Sequence, residues 1–135
     1  MTAVRRLGPA AKEELLVRLG NVLRNHPDIG FAVVFGSFLE GNGFRDIDVG
    51  VWTTSSADAR LDLELAGSLS AALDLPVDVR RLNDAPVPFL FHALRGRAVV
   101  VRDDVALAAI MERTAREYHD RAPLLRWATR DAFGR

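Results

Sequence analysis

Three aspartates and a Gly-Ser pair carry the residue types and spacing that fit a reaction in this 135-residue sequence. In Asp46-Ile-Asp48-Val the two carboxylates are separated by one apolar residue, so on an extended strand they share a face with Cα atoms ~6.5 Å apart. Placed there without a cation they repel and hold protons more tightly, a cost that a divalent metal removes. Oxygen-only ligands with open positions suit magnesium, with manganese as a substitute, and such ions take phosphate oxygens as further ligands. A nucleoside triphosphate supplies those oxygens. Gly36-Ser37 directly follows an apolar run, where glycine lets a phosphate approach the backbone and serine offers a hydroxyl. Asp78, between Val77 and Val79, is the third carboxylate. On a strand beside Asp46 and Asp48 it would ligate a second metal and accept the proton of an attacking hydroxyl, completing a two-metal in-line displacement. Each signal alone also describes a solvated acidic strand end or an ordinary turn, and the combination carries the reading.

The elements that must position these residues follow from periodicity. Residues 9–26 open on Pro9 and place Leu15, Leu16, Leu19, Val22 and Leu23 at helical spacing. Phe31 to Phe35 and Ile47 to Trp52 read as buried strands, joined by a glycine-dotted connection, Gly36 to Arg45, long enough for a loop or one helical turn. Asp58 to Leu75 is a helix with Leu61, Leu65, Leu69 and Leu73 as its stripe and Ser55, Ser56 and Asp58 as candidate caps. Pro76 to Leu82 alternates as a half-exposed strand. Pro86 to Leu94 is a short helix ended by Gly96, and Ala98 to Val101 a fourth strand. From Asp103 a long helix puts Ala108, Met111, Ala115 and Tyr118 on one face until Pro123 breaks or restarts it. The order predicts an α/β (α+β) domain: one mixed sheet of about four strands with flanking helices, residues 1–135 forming a single unit.

Composition narrows the function. Eighteen basic residues balance eighteen acidic ones, which leaves no global field to hold a nucleic acid or an anionic membrane. With no cysteine, thiolate chemistry, disulfides and thiolate zinc sites are excluded. No apolar run is long enough to span a membrane, so a cytoplasmic location is the default expectation.

Val-Val-Phe-Gly36-Ser37, then Asp46-Ile-Asp48-Val and Val-Asp78-Val, resembles the nucleotidyltransferase signature of the DNA polymerase beta superfamily in its minimal nucleotidyltransferase (MNT) branch. Leu82-Asn83-Asp84-Ala85-Pro86, the later Leu94-Arg-Gly96 before a valine strand, and the tyrosine-bearing C-terminal helix extend the likeness to the small antitoxins of HEPN/MNT toxin-antitoxin pairs, over roughly residues 10–125. The resemblance implies a nucleotidyltransferase fold and a magnesium-dependent transfer of AMP from ATP to a tyrosine hydroxyl of a HEPN ribonuclease toxin, with pyrophosphate leaving. By motif position Gly36 and Ser37 would hold the triphosphate, Asp46 and Asp48 the metals, and Asp78 would be third ligand and base. Two features depart from the pattern. The spacer between Ser37 and Asp46 is shorter than is common in the family, and Phe38 stands where members often carry arginine.

Other residues read more plainly. His26, His92 and His119 share no motif and are expected as capping or surface residues. Trp52 and Trp127 are expected in the core or an interface. Arg45, Arg80 and Arg81 either reach phosphates or pair with nearby acids. Leu124, Leu125, Trp127 and Phe133 suggest that the segment from about 104 to 135 docks another chain without naming it; the resemblance implies a HEPN partner, and a homo-oligomer stays open. Two alternatives to the toxin-modifying enzyme stay open. One is a binding module that silences its toxin by occlusion, and the other a stand-alone transferase acting on a small molecule or RNA end.

Overall fold

The computed structural model describes residues 3–41, 43–54 and 58–133, with side chains to residue 120. Among the described residues nine elements alternate: α1 (Pro9–Arg24), β1 (Ile29–Phe35), α2 (Ser37–Glu40), β2 (Ile47–Thr53), α3 (Leu61–Leu73), β3 (Val77–Arg81), α4 (Val87–Leu94), β4 (Arg97–Val101) and α5 (Asp104–Phe133). The four strands form one mixed sheet in the order β3-β2-β1-β4. β1 is antiparallel to both β2 and β4, whereas β3 returns parallel to β2 after the α3 crossover. The expected mixed four-stranded sheet with flanking helices is what forms.

Strand parity sorts the core into two layers. Ala32 and Val34 of β1, Ile47, Val49 and Val51 of β2, and Val77 and Val79 of β3 pack with the leucines of α1 and with Leu61, Leu65, Leu69 and Leu73 of α3. Phe31, Val33 and Phe35 turn the other way, onto Leu90, Ala93 and Leu94 of α4 and Ile110 of α5. β1 is therefore covered on both faces, which is why its sequence is a continuous apolar run rather than an alternation. Asp48 and Asp78, one residue out of phase with these valines and isoleucines, lie on the α4 side.

The connection after β1 is the single helical turn α2, and its position is set by α1. Lys12, the one lysine in the sequence, donates to the carbonyls of Phe38 (2.7 Å) and Gly41 (3.3 Å). Its ammonium also lies over the edge-to-face pair Phe38 and Phe44. Phe38 is fully buried, and Phe44 is fixed again by a two-residue bridge to Arg5. On the opposite side, Asn83 ties the start of the β3–α4 connection to β2. Its side chain accepts from the backbone N–H and hydroxyl of Thr53 and donates to the Thr53 carbonyl at 2.8 Å. That clamp, with Leu82 N–H donating to the Val51 carbonyl, delivers α4 across the sheet.

Several sequence expectations shift. Asp46 stands one residue ahead of β2 rather than within it, because Ile47 is the first residue paired with β3. α3 begins at Leu61, and Asp58 instead closes the preceding turn by accepting from the Arg60 N–H at 2.8 Å. The caps expected at Ser55 and Ser56 lie outside the described residues. α5 buries Ile110 and Thr114 with Leu107 beside them, while Ala108 and Met111 are exposed. Its inward face is therefore set by the larger side chains Leu107 and Ile110 against Phe31 and Val33 rather than by the alanine stripe. Its backbone continues through Pro123 to Phe133, so the missing proline N–H is tolerated without ending the helix. The docking segment built on Leu124, Leu125, Trp127 and Phe133 lies outside the described side chains. Among the described residues no helix is long and apolar enough to cross a membrane.

Candidate active site

The parallel register of β2 and β3 places Asp48 directly beside Asp78, and the antiparallel register of β1 and β2 places Asp48 beside Phe35, at the step into Gly36. Two strands that are far apart in sequence thus bring their lone carboxylates to one sheet face. Asp46 precedes the strand and is near enough for its charge to act on Asp48. The Asp48 carboxyl is pushed up to about 6, first by burial and then by the charges of Asp46 and Asp78, with Arg80 and His92 pulling it back. Asp78 is about half exposed and pairs with Arg80 at 3.6 Å. Arg81 instead reaches back to Asp62 at 3.2 Å and to the Asp58 carbonyl. The two arginines that end this strand are thus partners of nearby acids.

Gly36 has φ +82° and ψ −157°, a combination open essentially to glycine alone. A β-carbon there would also lie 2.6 Å from Oδ2 of Asp48. Glycine is therefore required twice, for the turn out of β1 and for the carboxylate pressed against it. Ser37 follows as the exposed first residue of α2, with its backbone held in the turn by Leu39 and Glu40 N–H groups donating to the Gly36 carbonyl. Gly36→Ala is expected to lose about 1–3 kcal/mol of stability through the backbone strain alone. It is also expected to displace the Asp48 side chain. Urea denaturation of the variant checks this, and a midpoint equal to that of the parent would contradict the assignment.

The donor set fits a hard divalent cation: Asp48 and Asp78 share one face with Asp46 just ahead of the strand, and Asp48 holds its proton more tightly through burial first and the charges of the other two second. Among the described residues no three acidic or histidine side chains converge as a preformed metal cage. Like charges on neighbouring strands favour such separation, and a cation drawing phosphate oxygens into its shell would have to close it. The Asp48 shift has a measurable consequence in protein kept free of divalent ions. The folded carboxyl keeps its proton where the unfolded one, near 3.8, has lost it. Stability from this group is thus full below about pH 4 and falls as pH rises through about 6. Because the carboxyl is partly solvated, Asp48→Asn is expected to gain only about 1 kcal/mol at pH 8 and less at pH 5. Melting curves in a chelator read the difference, and a variant less stable than the parent at pH 8 would contradict it.

Two residues at the end of α4 also reach this site: His92, expected from sequence as a capping or surface residue, and Arg95, given no role of its own there. A cleft of about 420 Å³ opens beside Gly36, lined by Phe35, Gly36, Leu39, Glu40, His92, Arg95 and Gly96. His92 meets the Phe35 ring edge-on at 6.0 Å and acts electrostatically on Asp48. Arg95 holds its guanidinium over Phe91 at 5.6 Å, and Phe91 stacks on Tyr118 at 3.9 Å. The sequence clue was their i, i+3 spacing at the end of a short helix, which is legible only once α4 is known to cross toward β1. Of the other residues read from sequence, Trp52 stacks on Phe31 as a core residue, and Trp127 lies outside the described side chains.

No curated protein matches the chain in sequence. Among solved structures, the chain is similar to one in the complex of tri-AMPylated Shewanella oneidensis HEPN toxin with MNT antitoxin, at 24% identity and TM-score 0.69, covering 92% of this chain and 99% of that one. A chain of the MntA-HepT toxin-antitoxin aligns at 23% identity and TM-score 0.64, over 93% and 99% of the two chains. One of a toxin-antitoxin with AMP-PNP aligns at 25% identity and TM-score 0.65, over 95% and 100%. A family model described as polymerase beta, nucleotidyltransferase matches residues 18–105, the span that holds the Gly36 turn and all three aspartates. The chain belongs to the polymerase beta nucleotidyltransferase family.

Proposed function

We propose that the chain is the antitoxin of a HEPN/MNT pair and transfers AMP from ATP to a tyrosine hydroxyl of its HEPN partner. The observation that carries the reading is the register of Asp48 against Asp78 on the sheet face where Gly36 closes over the Asp48 carboxylate. The similar structures of an AMPylated HEPN toxin with its MNT antitoxin, of the MntA-HepT toxin-antitoxin and of a toxin-antitoxin with AMP-PNP support both the chemistry and the partner.

In this reading Asp46, Asp48 and Asp78 hold two magnesium ions, which when bound neutralise the phosphates and the charge that develops on the leaving group. Gly36 and Ser37 hold the triphosphate through the open backbone of the turn and the serine hydroxyl. The tyrosine oxygen attacks the α-phosphorus and its proton passes to the Asp78 carboxylate. The bond from the α-phosphorus to the bridging oxygen breaks, and pyrophosphate departs with that electron pair. Asp78 is about half exposed, so a hydroxyl carried by a partner can reach it, and Arg80 lies beside it at 3.6 Å.

ATP labelled at the α-phosphate, incubated with magnesium, this protein and a purified HEPN partner, is expected to label the partner, whereas γ-labelled ATP leaves it unlabelled. A second reading, occlusion without chemistry, is favoured by the Asp78–Arg80 pairing and by the separation of the three carboxylates. It predicts a stable complex with no label from either nucleotide.

A further inference from the structure

A polyphosphate brings several negative charges into a site whose turn offers none of the opposite sign. Between Gly36 and Gly41 the only ionisable residue is Glu40, which lines the cleft. Phe38 is fully buried against Phe44. The Lys12 ammonium is occupied by the Phe38 and Gly41 carbonyls, and Arg80 is paired with Asp78. The cationic and donor groups that do line the cleft come from the end of α4, as Arg95 and His92. Arg95 is set for the task, because its guanidinium rests over Phe91, itself held by the stack on Tyr118. An arginine whose plane is fixed in advance loses less freedom when its paired N–H groups meet phosphate oxygens.

We infer that Arg95, with His92 beside it, binds the β and γ phosphates of the nucleotide, so that α4 supplies the positive wall that the Gly36 turn lacks. The inference rests on the reading of this site as a nucleotide site. It adds a charge-specific contact that distinguishes a triphosphate from a monophosphate.

The test is calorimetric titration of the full chain with magnesium and a non-hydrolysable ATP analogue, with AMP measured by competition against the same analogue. Arg95→Ala is expected to weaken the analogue at least about tenfold, the size of one lost charge-assisted contact, while AMP changes less than about twofold. Arg95→Lys, which keeps the charge but not the stacked, paired N–H groups and tests the idea even where the alanine variant folds poorly, is expected to recover only part of the loss. His92→Gln is expected to weaken the analogue by a smaller factor. Unchanged analogue binding by Arg95→Ala, or an equal loss for AMP, overturns the inference and leaves the site reading intact. A parent protein that does not bind the analogue overturns both.

Discussion

Asn at both Asp46 and Asp48 is expected to reduce transfer of AMP to the partner by on the order of 10³-fold or more, since loss of a single preorganised charge-stabilising group costs about 10²–10³ in rate. The size follows from where the carboxylates stand. Asp48 is pressed against the Gly36 turn, with Asp46 just ahead of its strand and Asp78 across from it in register, so no other described acid of β2 or β3 shares this face to replace the pair. The same substitutions remove a repulsive cluster, so the variant is expected to melt no lower than the parent in chelator and to bind its partner as before. Activity and stability should therefore part company. Label transfer from α-labelled ATP, read alongside melting curves and a partner pull-down, tests all three, and a double variant that still labels the partner at the parental rate would remove the carboxylates from the mechanism.

Gly96→Ala should produce the largest loss of stability among conservative single substitutions. A β-carbon at Gly96 falls well inside contact with the Val34 carbonyl and 2.9 Å from the β-carbon of Phe35. Both belong to β1, the strand buried on its two faces and bonded on its two edges, which cannot retreat to make room. The cost is expected at the upper end of the ~1–3 kcal/mol typical of overpacking, or roughly a 10 °C fall in midpoint for a domain of this size. Gly67→Ala is the control. It sits mid-helix in α3 with nothing within 4 Å of the added carbon, and it should gain about 0.5–1 kcal/mol from helix propensity. Thermal melts of the two variants should move in opposite directions; a Gly96→Ala midpoint within about 2 °C of the parent would show that β1 yields where the packing says it cannot.

Much of this site was readable in the residues because strand parity is a local property. The valines around Asp78 and the isoleucine and valine around Asp48 fix which side each carboxylate takes, whatever the sheet order, and the leucines four apart fix the buried face of α3 in the same way. Register across strands is different, because Asp48 and Asp78 meet only through the α3 crossover, whose geometry no window of sequence contains. His92, read as a capping or surface residue, and Arg95, given no role, escaped for the same reason: their place depends on α4 being drawn across the sheet by the Asn83 clamp and ending beside Gly36. Gly96 reads from sequence as the residue that ends a short helix, a place where glycine commonly serves a left-handed backbone, yet among the described glycines only Gly36 has positive φ. Gly96 is there because β1 passes too close for a side chain. The face of α5 was misjudged in its first turns, where Ala108 and Met111 are exposed and packing against Phe31 and Val33 selects Leu107 and Ile110, while Tyr118 further along does turn inward onto Phe91.

Lys12 gives the turn beneath the reactive centre a chemical handle. An acylating reagent needs the free amine, and in the folded protein that nitrogen is committed to two carbonyls and two aromatic rings. The rate at which this lone lysine is acylated therefore times how often the turn lets go of α1, and a ligand that steadies the turn should slow that clock without touching the lysine itself.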